Sequence, residues 1–287
     1  MFRIIFGLGL FCLFCLSSCS FYNYTYIQTP VSVPDLKQRG ELKVQANSSL
    51  KEGSAEVAYS PINHIGVIAS ASTGLVKDTK GWEAGLGYYL AKNKYLFSMY
   101  GGVGYGDVEN KGSFKEWFGR DTKEWNNYST YHKYYIQASL GRALWKICRV
   151  SVAVRGSYVQ FDSYGYSFHH KNYDVDKSDT KLAEEFDTLK TSNASALIID
   201  PTVNITFFHT RRFSLIVQAG FTLVHRYGEF REDHAIDLST YQPSTSFSYP
   251  STASQAPDRT HPIAFPLTFS IGGRLNINTR GQKTKAE

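Results

Sequence analysis

Apolar residues recur at every second position in ten separate stretches of this chain. Each stretch is bounded by Gly, Pro, Asn, Asp or charged residues, which are typical of turns. The ten stretches are 42–46, 55–59, 65–71, 82–90, 95–105, 134–140, 150–158, 197–207, 213–223 and 265–277. A period of two belongs to a β-strand whose two faces meet different surroundings. The alternation therefore predicts an all-β chain of about ten strands, with eight as the alternative.

The residues between the apolar ones indicate what those surroundings are. They are mostly Gly, Ser, Ala and Thr, whereas a soluble barrel would place many Lys and Glu on its water-facing side. Small residues suit a narrow barrel interior, and an apolar outward face suits lipid. We therefore predict a closed antiparallel up-and-down transmembrane β-barrel over 41–278, with a polar, filled lumen. A soluble periplasmic lipoprotein with a lipocalin-like ligand pocket remains an alternative, because its strands alternate too.

Charged residues on the predicted lumen side are few and balanced. There are three of each sign, namely Lys43, Glu56, Glu83, Arg155, Asp200 and Arg274. An unpaired charge in a confined interior is costly, so balanced charge favours internal pairing. We predict a polar network that plugs the bore, and a small polar pore is the alternative.

The connections between strands alternate in length. Short ones at 61–63, 92–94, 145–148 and 209–211 alternate with long ones at 107–131, 163–193 and 227–263. Outer-membrane barrels have short periplasmic turns and long extracellular loops, so this pattern places both termini in the periplasm. Within the second long connection, Leu182, Phe186 and Leu189 have helical spacing, which predicts a short amphipathic helix over 174–190 that caps the barrel.

The chain begins with Arg3, a short apolar run, and then Leu16-Ser17-Ser18-Cys19. The run is too short to span a bilayer stably and is typical of a secretory signal. We predict a signal peptide over 1–18, a lipidated periplasmic tether over 19–40 and a polar tail over 279–287. Leu16-Ser17-Ser18-Cys19 resembles the lipobox of bacterial lipoproteins, in which cleavage occurs just before the Cys, and this implies that Cys19 carries lipid. The alternative is an ordinary cleavage site with Cys19 as a bystander.

Two further stretches extend this resemblance. Pro34-Asp35-Leu36 with Gly40-Glu41, and Asn63-His64-Ile65-Gly66-Val67, are similar to small outer-membrane barrel lipoproteins common in Bacteroidetes. The resemblance implies an outer-membrane location with outer-membrane lipids as partners, and it implies no shared active site. In that phylum an acidic stretch after the lipidated Cys resembles a surface-export signal. Residues 20–24 are not acidic, so we expect the lipid on the periplasmic leaflet.

Aromatic and basic residues crowd the first long connection. Aromatic faces and Arg suit a glycan, lipopolysaccharide or a segment of an envelope protein. They form a candidate ligand-binding loop, namely Trp117, Arg120, Trp125, Tyr128 and Tyr131. The alternative is that these rings form an outer aromatic girdle or pack the loops together.

An enzymatic role is a further alternative. A ten-stranded barrel resembles the omptin proteases, which use acidic pairs and an Asp-His pair at the extracellular rim, and Asp233 with His234 is the nearest such pair. For a lipid A-modifying enzyme, His225 is the candidate. Adjacent residues point in different directions, so we predict a structural or binding role without catalysis, cofactor or metal. The chain has 31 Lys and Arg against 25 Asp and Glu, and their scattered placement excludes a nucleic-acid platform.

Overall fold

The computed structural model describes residues 26–27, 29–31, 33–49, 52–74, 79–115, 122–145, 147–173, 181–191, 194–208, 212–227, 232–237 and 267–278. The strands in this part are β1 (Glu41–Ser48), β2 (Glu52–Ile62), β3 (Ile65–Gly74), β4 (Lys80–Lys92), β5 (Tyr95–Lys115), β6 (Thr122–Trp145), β7 (Cys148–Tyr173), β8 (Lys181–Thr191), β9 (Ser195–Phe207), β10 (Phe213–Phe221), β11 (Leu223–Tyr227), β12 (Glu232–Asp237) and β13 (Leu267–Asn278). The predicted signal peptide, Cys19 and the tail lie outside the described residues.

Ten of these strands form a closed wall. β1 to β7 pair with their neighbours in chain order, and the wall continues through β9, β10 and β13. It closes where β13 pairs with β1, from Glu41 opposite Asn278 to Ser48 opposite Ile271. All of these pairings are antiparallel. The ten-stranded up-and-down barrel is therefore confirmed, and the eight-stranded alternative is wrong.

The two faces of the wall have the inverse of a soluble protein's polarity. Large apolar side chains such as Leu86, Ile136 and Val152 are exposed outward, while the inward face is buried and polar. Exposed aromatics mark both edges of the apolar band, with Trp82 and Tyr134 among them at the end where the long connections lie, as in the girdles of transmembrane barrels. The lipocalin-like alternative is wrong, because its outer face would be polar. The described residues contain no helix that is long and apolar enough to cross a membrane.

The two ends of the barrel differ, as the sequence predicts. Only two to five residues separate β2 from β3, β4 from β5, β6 from β7 and β9 from β10. We call this end the short-turn end and the opposite end the long-loop end. The full lengths of β5, β6 and β7 are 21, 24 and 26 residues, whereas a strand needs roughly 9–11 residues to cross a bilayer. Their extra residues lie at the long-loop end.

Two predictions about the long connections are wrong. Much of 107–131 and 163–193 is not loop but paired strand, because β5, β6 and β7 continue beyond the apolar band. The described part of the predicted helix over 174–190, residues 181–190, belongs instead to β8, which pairs with the outer half of β7 and, on its other edge, with β12; residues 174–180 lie outside the described residues. Pairing with an exposed strand edge overrides the helical spacing of the apolar residues in this stretch.

The largest departure from prediction concerns the N-terminal segment. Its described part within 26–40, which we call the plug, lies inside the barrel rather than beside it. The Gly40 amide donates to the Ser60 carbonyl at the short-turn end (2.7 Å), and the Ile27 amide donates to the Tyr131 hydroxyl toward the long-loop end (3.1 Å). The prediction of a periplasmic tether is therefore wrong for this part of 19–40. Its apolar side chains, which a tether would expose to water, are buried against the lumen wall.

Candidate functional site

Apolar side chains hold the plug at three levels of the lumen. Tyr26 and Ile27 belong to a cluster with rings from β6 and β7 at the long-loop end. Val31 and Val33 pack with Ala153, and Leu36 packs in a cluster at the short-turn end. Apolar contacts therefore hold the described residues of the plug at both ends and in the middle of the lumen.

Glycines of the wall make room for two of these anchors. A Cβ atom at Gly66 would lie 2.8 Å from Leu36 Cδ1, and one at Gly81 would lie 3.2 Å from Ile27 Cδ1. A side chain at Gly66 would require the end of the Leu36 side chain to move, and one at Gly81 would require the end of the Ile27 side chain to shift by a few tenths of an ångström. At these two positions the small size of glycine therefore lets the plug pack closely against the wall.

The first polar contact of the plug, which we call the Asp35 site, lies at the short-turn end. The Asp35 carboxylate pairs with Arg274 Nη1 at 2.8 Å and Arg149 Nη1 at 3.1 Å, and Lys43 Nζ donates to the Asp35 carbonyl at 2.8 Å. All four residues are buried. Arg274 also donates to Gln45 Oε1 and to the Val33 carbonyl. Three cations of the wall thus converge on one residue of the plug.

The backbone at Asp35 suits this role. Its φ angle is 54°, in the left-handed region that Asp and Asn adopt more readily than other non-glycine residues. The preceding Pro34 and Pro30 lack an amide N–H, so those positions cannot join a sheet ladder. These features keep the plug from pairing as an eleventh strand and leave its side chains to make the contacts.

The second polar contact, which we call the Glu83 site, lies deeper toward the long-loop end. Glu83 accepts short hydrogen bonds from Thr29 of the plug and from Lys133, and its other oxygen is 3.1 Å from Arg155 Nη1. Lys133 Nζ also donates to the Tyr26 hydroxyl and to Thr29 Oγ1, both at 3.1 Å. The plug therefore supplies two hydroxyl groups to a buried ionic cluster of the wall.

Arg155 has further partners on the wall at the Glu83 site. Its Nε and Nη2 donate to Gln137 Oε1 at 3.1 and 2.8 Å, and its guanidinium carbon lies 4.8 Å from the centroid of the Tyr135 ring. Arg155 is therefore held on several sides in a single geometry. Such fixed donors favour a rigid closed lumen over a water-filled one.

All six side chains of the predicted lumen network are buried. Glu83 and Arg155 share one site, while Lys43 and Arg274 share the other through Asp35. Asp200 lies opposite Arg155 in the β7–β9 register and accepts from Thr222 Oγ1 at 2.5 Å. The sixth residue, Glu56, lies on β2, opposite Gln45 of β1. Four of the six residues are thus divided between two sites, and the plug contributes to each of those sites.

Sequence reasoning missed Lys133, Arg149 and Asp35. Lys133 and Arg149 each lie one residue before a predicted strand, at the parity of the lumen face. Including them gives five buried cations in the described wall, against three buried carboxylates, Glu56, Glu83 and Asp200. That excess of positive charge is the signal that another segment must supply a carboxylate, and Asp35 is that group.

The aromatic residues of the predicted ligand-binding loop have structural contacts where they are described. Tyr131 is buried and hydrogen-bonded to the plug, so the prediction that it faces an external ligand is wrong. Trp125 and Tyr128 are half-buried on β6, across the strand pairs from Gly112 and Gly165, and their rings cover those glycines. Rings that cover cross-strand glycines stabilise sheets. Trp117 and Arg120 lie outside the described residues.

The catalytic candidates are not brought into a described cleft. Asp233 and His234 are adjacent positions of β12, and their side chains lie outside the described part of the structure. His225 is on the exposed outer face of β11, next to the Tyr227 ring. A His–Asp contact does occur on the outer face of the barrel, where His132 Nδ1 lies 2.9 Å from Asp162 Oδ2. Both of its side chains are substantially exposed to solvent rather than enclosed.

No family model matches the sequence, and no curated protein matches it. Among solved structures, the chain is similar to the KdgM porin, with 11% identity over 82% of this chain and 98% of that one and a TM-score of 0.32. It is also similar to the outer membrane protease OmpT from Escherichia coli, with 9% identity over 87% and 99% of the two chains and a TM-score of 0.41. Neither similarity bears on what this chain binds or does.

Proposed function

We propose that this chain is an outer-membrane β-barrel lipoprotein whose lumen is closed by its own plug, and that it has a structural or binding role. The observation that carries the proposal is the pairing of Asp35 with Arg149 and Arg274 inside the barrel. A pore would keep these charges in water, whereas here they are buried against each other.

The outer surface supports the membrane location. Exposed Val, Leu, Ile and aromatic side chains surround the barrel, and such a surface requires acyl chains as its partner. The long extensions of β5, β6 and β7 give the barrel a tall rim beyond the membrane. This rim is the proposed contact surface for lipopolysaccharide, a glycan or an envelope protein; Trp117 and Arg120, which follow β5 in the sequence, lie outside the described residues.

Conductance in a planar lipid bilayer tests the closed lumen. We expect the intact protein to give no stable steps in current. A variant that lacks residues 26–36 should give the current steps of an open channel, because the deletion empties the lumen. Heat-modifiable migration on a gel verifies that each barrel is folded. A second variant, Asp35→Asn with Leu36→Asn, retains the chain and weakens both kinds of contact. The proposal is wrong if the intact protein conducts as strongly as the deletion variant.

A further inference from the structure

We propose that the outer face of the barrel carries a binding site for a phospholipid with an anionic headgroup, at the short-turn end of β4, β5 and β6. Lys92, Tyr95 and Arg142 bind the phosphate, and the apolar wall next to them holds the acyl chains. This inference rests on the membrane location in the proposed function and adds to it a lipid class and a place on the wall. It does not depend on the plug.

The three headgroup residues form one row across neighbouring strands. Lys92 pairs with Tyr95 in the β4–β5 register, and Tyr95 pairs with Arg142 in the β5–β6 register. Directly opposed residues on one face of an antiparallel sheet have Cβ atoms about 5 Å apart. All three side chains are exposed, and the Arg142 guanidinium carbon lies 5.4 Å from the centroid of the Tyr95 ring. The row therefore presents two cations and a phenol hydroxyl to one headgroup.

Positive charge at this end of the barrel is not balanced by exposed acids. Among the described residues of the short-turn end, the carboxylates are those of Asp35, which is buried in the lumen, and Glu41, which is only partly exposed. Further exposed cations surround the row, namely Lys37, Arg39, Lys94 and Arg212. A surface with an excess of one charge attracts ligands of the opposite charge, so this end favours an anion.

The long-loop end differs in this respect. There Lys80, on the same strand and face as Lys92, lies opposite Asp107 in the β4–β5 register, and Lys111 forms an exposed ion pair with Glu109. Each of these cations has an acidic neighbour within the wall. The unbalanced cations of the short-turn end therefore do not reflect a general feature of the barrel surface.

The wall next to the row is apolar and fits acyl chains. The adjacent row of the same three strands is exposed and apolar, namely Leu90, Phe97 and Leu140. Beyond it lie two small exposed residues, Ala138 and Gly101. A Cβ atom at Gly101 would have only the Tyr135 carbonyl oxygen within 4 Å, at 3.7 Å, so the surface here is open toward the lipid. The small residues leave a shallow depression that leads from the headgroup row into the apolar band.

This combination favours a net anionic phospholipid over a zwitterionic one. Tyr prefers the boundary between headgroups and acyl chains, and long cationic side chains reach from an apolar wall to the phosphate level. A zwitterionic headgroup carries its own ammonium group, which the cations of the row and those around it would repel. Outer-membrane barrels have their short turns in the periplasm, so the site faces the periplasmic leaflet.

Native mass spectrometry of the full-length protein measures which lipid it retains from detergent micelles that contain equal amounts of phosphatidylglycerol and phosphatidylcholine. We expect the parent protein to retain more phosphatidylglycerol. Lys92→Gln and Arg142→Gln should each lower the ratio of the two retained lipids by about fivefold, because each removes one cation from the headgroup level. The matched control is Lys80→Gln, which should leave the ratio unchanged. Heat-modifiable migration on a gel verifies that each variant is folded.

Two further arms test the acyl-chain part of the site. Ala138→Trp fills the depression and leaves both cations in place, so we expect it to lower the retention of phosphatidylglycerol. Glycerol phosphate has the charge without the chains, so we expect it not to displace the retained lipid. Displacement by glycerol phosphate would overturn the assignment to a phospholipid.

The outcomes separate this inference from the proposed function. Equal retention of the two lipids by the parent protein would overturn the inference and leave the membrane location standing. An equal fall in the ratio for Lys80→Gln and Lys92→Gln would also overturn it, because the preference would then come from overall charge. A folded protein that stays soluble after the detergent is removed would refute the membrane location itself.

Discussion

Replacing Asp35 by Asn is expected to lower the free energy of unfolding by about 3–5 kcal/mol, the usual cost of removing one partner from a buried ion pair. The substitution retains the size of the side chain and its tolerance of a positive φ angle. It removes only the charge that faces Arg149 and Arg274. The measurement is unfolding by denaturant in lipid vesicles. The folded fraction at each denaturant concentration is read from the heat-modifiable migration of the protein on a gel.

Two further variants separate the contributions of backbone conformation and of the ion pairs to stability at the Asp35 site. Asp35→Ala is expected to lose roughly 1–2 kcal/mol more than Asp35→Asn, because Ala adopts the left-handed region less readily. Arg149→Met combined with Asp35→Asn should recover part of the loss, with a coupling of about 1–3 kcal/mol. Arg274 would then still donate to Gln45 and to the Val33 carbonyl.

The control for Asp35 is Lys37→Gln, which changes an exposed charge two residues away. It is expected to change stability by less than about 0.5 kcal/mol. If Asp35→Asn changed stability by an equally small amount, the carboxylate would not hold the two arginines. The proposed role of the Asp35 site in binding the plug would then be wrong.

Replacing Glu83 by Gln is expected to have a comparable effect, a loss of about 3–5 kcal/mol. Glu83 is the carboxylate between Lys133 and Arg155, and without its charge these two buried cations repel each other at close range. The same substitution should weaken the hold on Thr29. We therefore expect faster proteolysis of the plug from the long-loop end, in addition to the lower unfolding free energy.

Adding Lys133→Met to Glu83→Gln tests the cause of this loss. The second change removes one of the two facing cations, so we expect it to restore stability relative to Glu83→Gln alone. Glu109→Gln is the matched control, because it makes the same chemical change in an exposed pair with Lys111, and exposed pairs contribute about 0–1 kcal/mol. Equal losses at positions 83 and 109 would contradict a buried ionic site.

The barrel wall was predictable because it rests on a repeated local pattern. Wherever one face meets lipid and the other the lumen, as in 82–90 or 150–158, the alternation is strong and the strand was predicted. The pattern disappears beyond the membrane, since both faces of β5, β6 and β7 then meet water or other side chains. For that reason their extensions were predicted as loops and β8 as a helix.

The plug was not predictable from local pattern. Residues 26–40 contain two prolines, and their only alternation, Ile27 to Val33, is interrupted by Pro30, which is also how an unstructured tether appears in sequence. Their conformation comes from contacts with distant residues, such as Asp35 with Arg274 and Leu36 beside Gly66. Two stretches that carried the family resemblance, 34–36 and 63–67, are thus in contact in the folded protein.

A single cross-link tests most directly whether the plug occupies the lumen. The variant combines Leu36→Cys and Gly66→Cys with Cys148→Ser, because Leu36 lies directly against Gly66. The control moves the second cysteine to Gly101, on the exposed outer face of β5. After mild oxidation of the folded protein in membranes, mass spectrometry measures the disulfide-linked peptides. We predict nearly complete linkage between positions 36 and 66 and none between 36 and 101. Absence of the 36–66 linkage in a folded barrel would contradict a lumen closed by its own N-terminal segment.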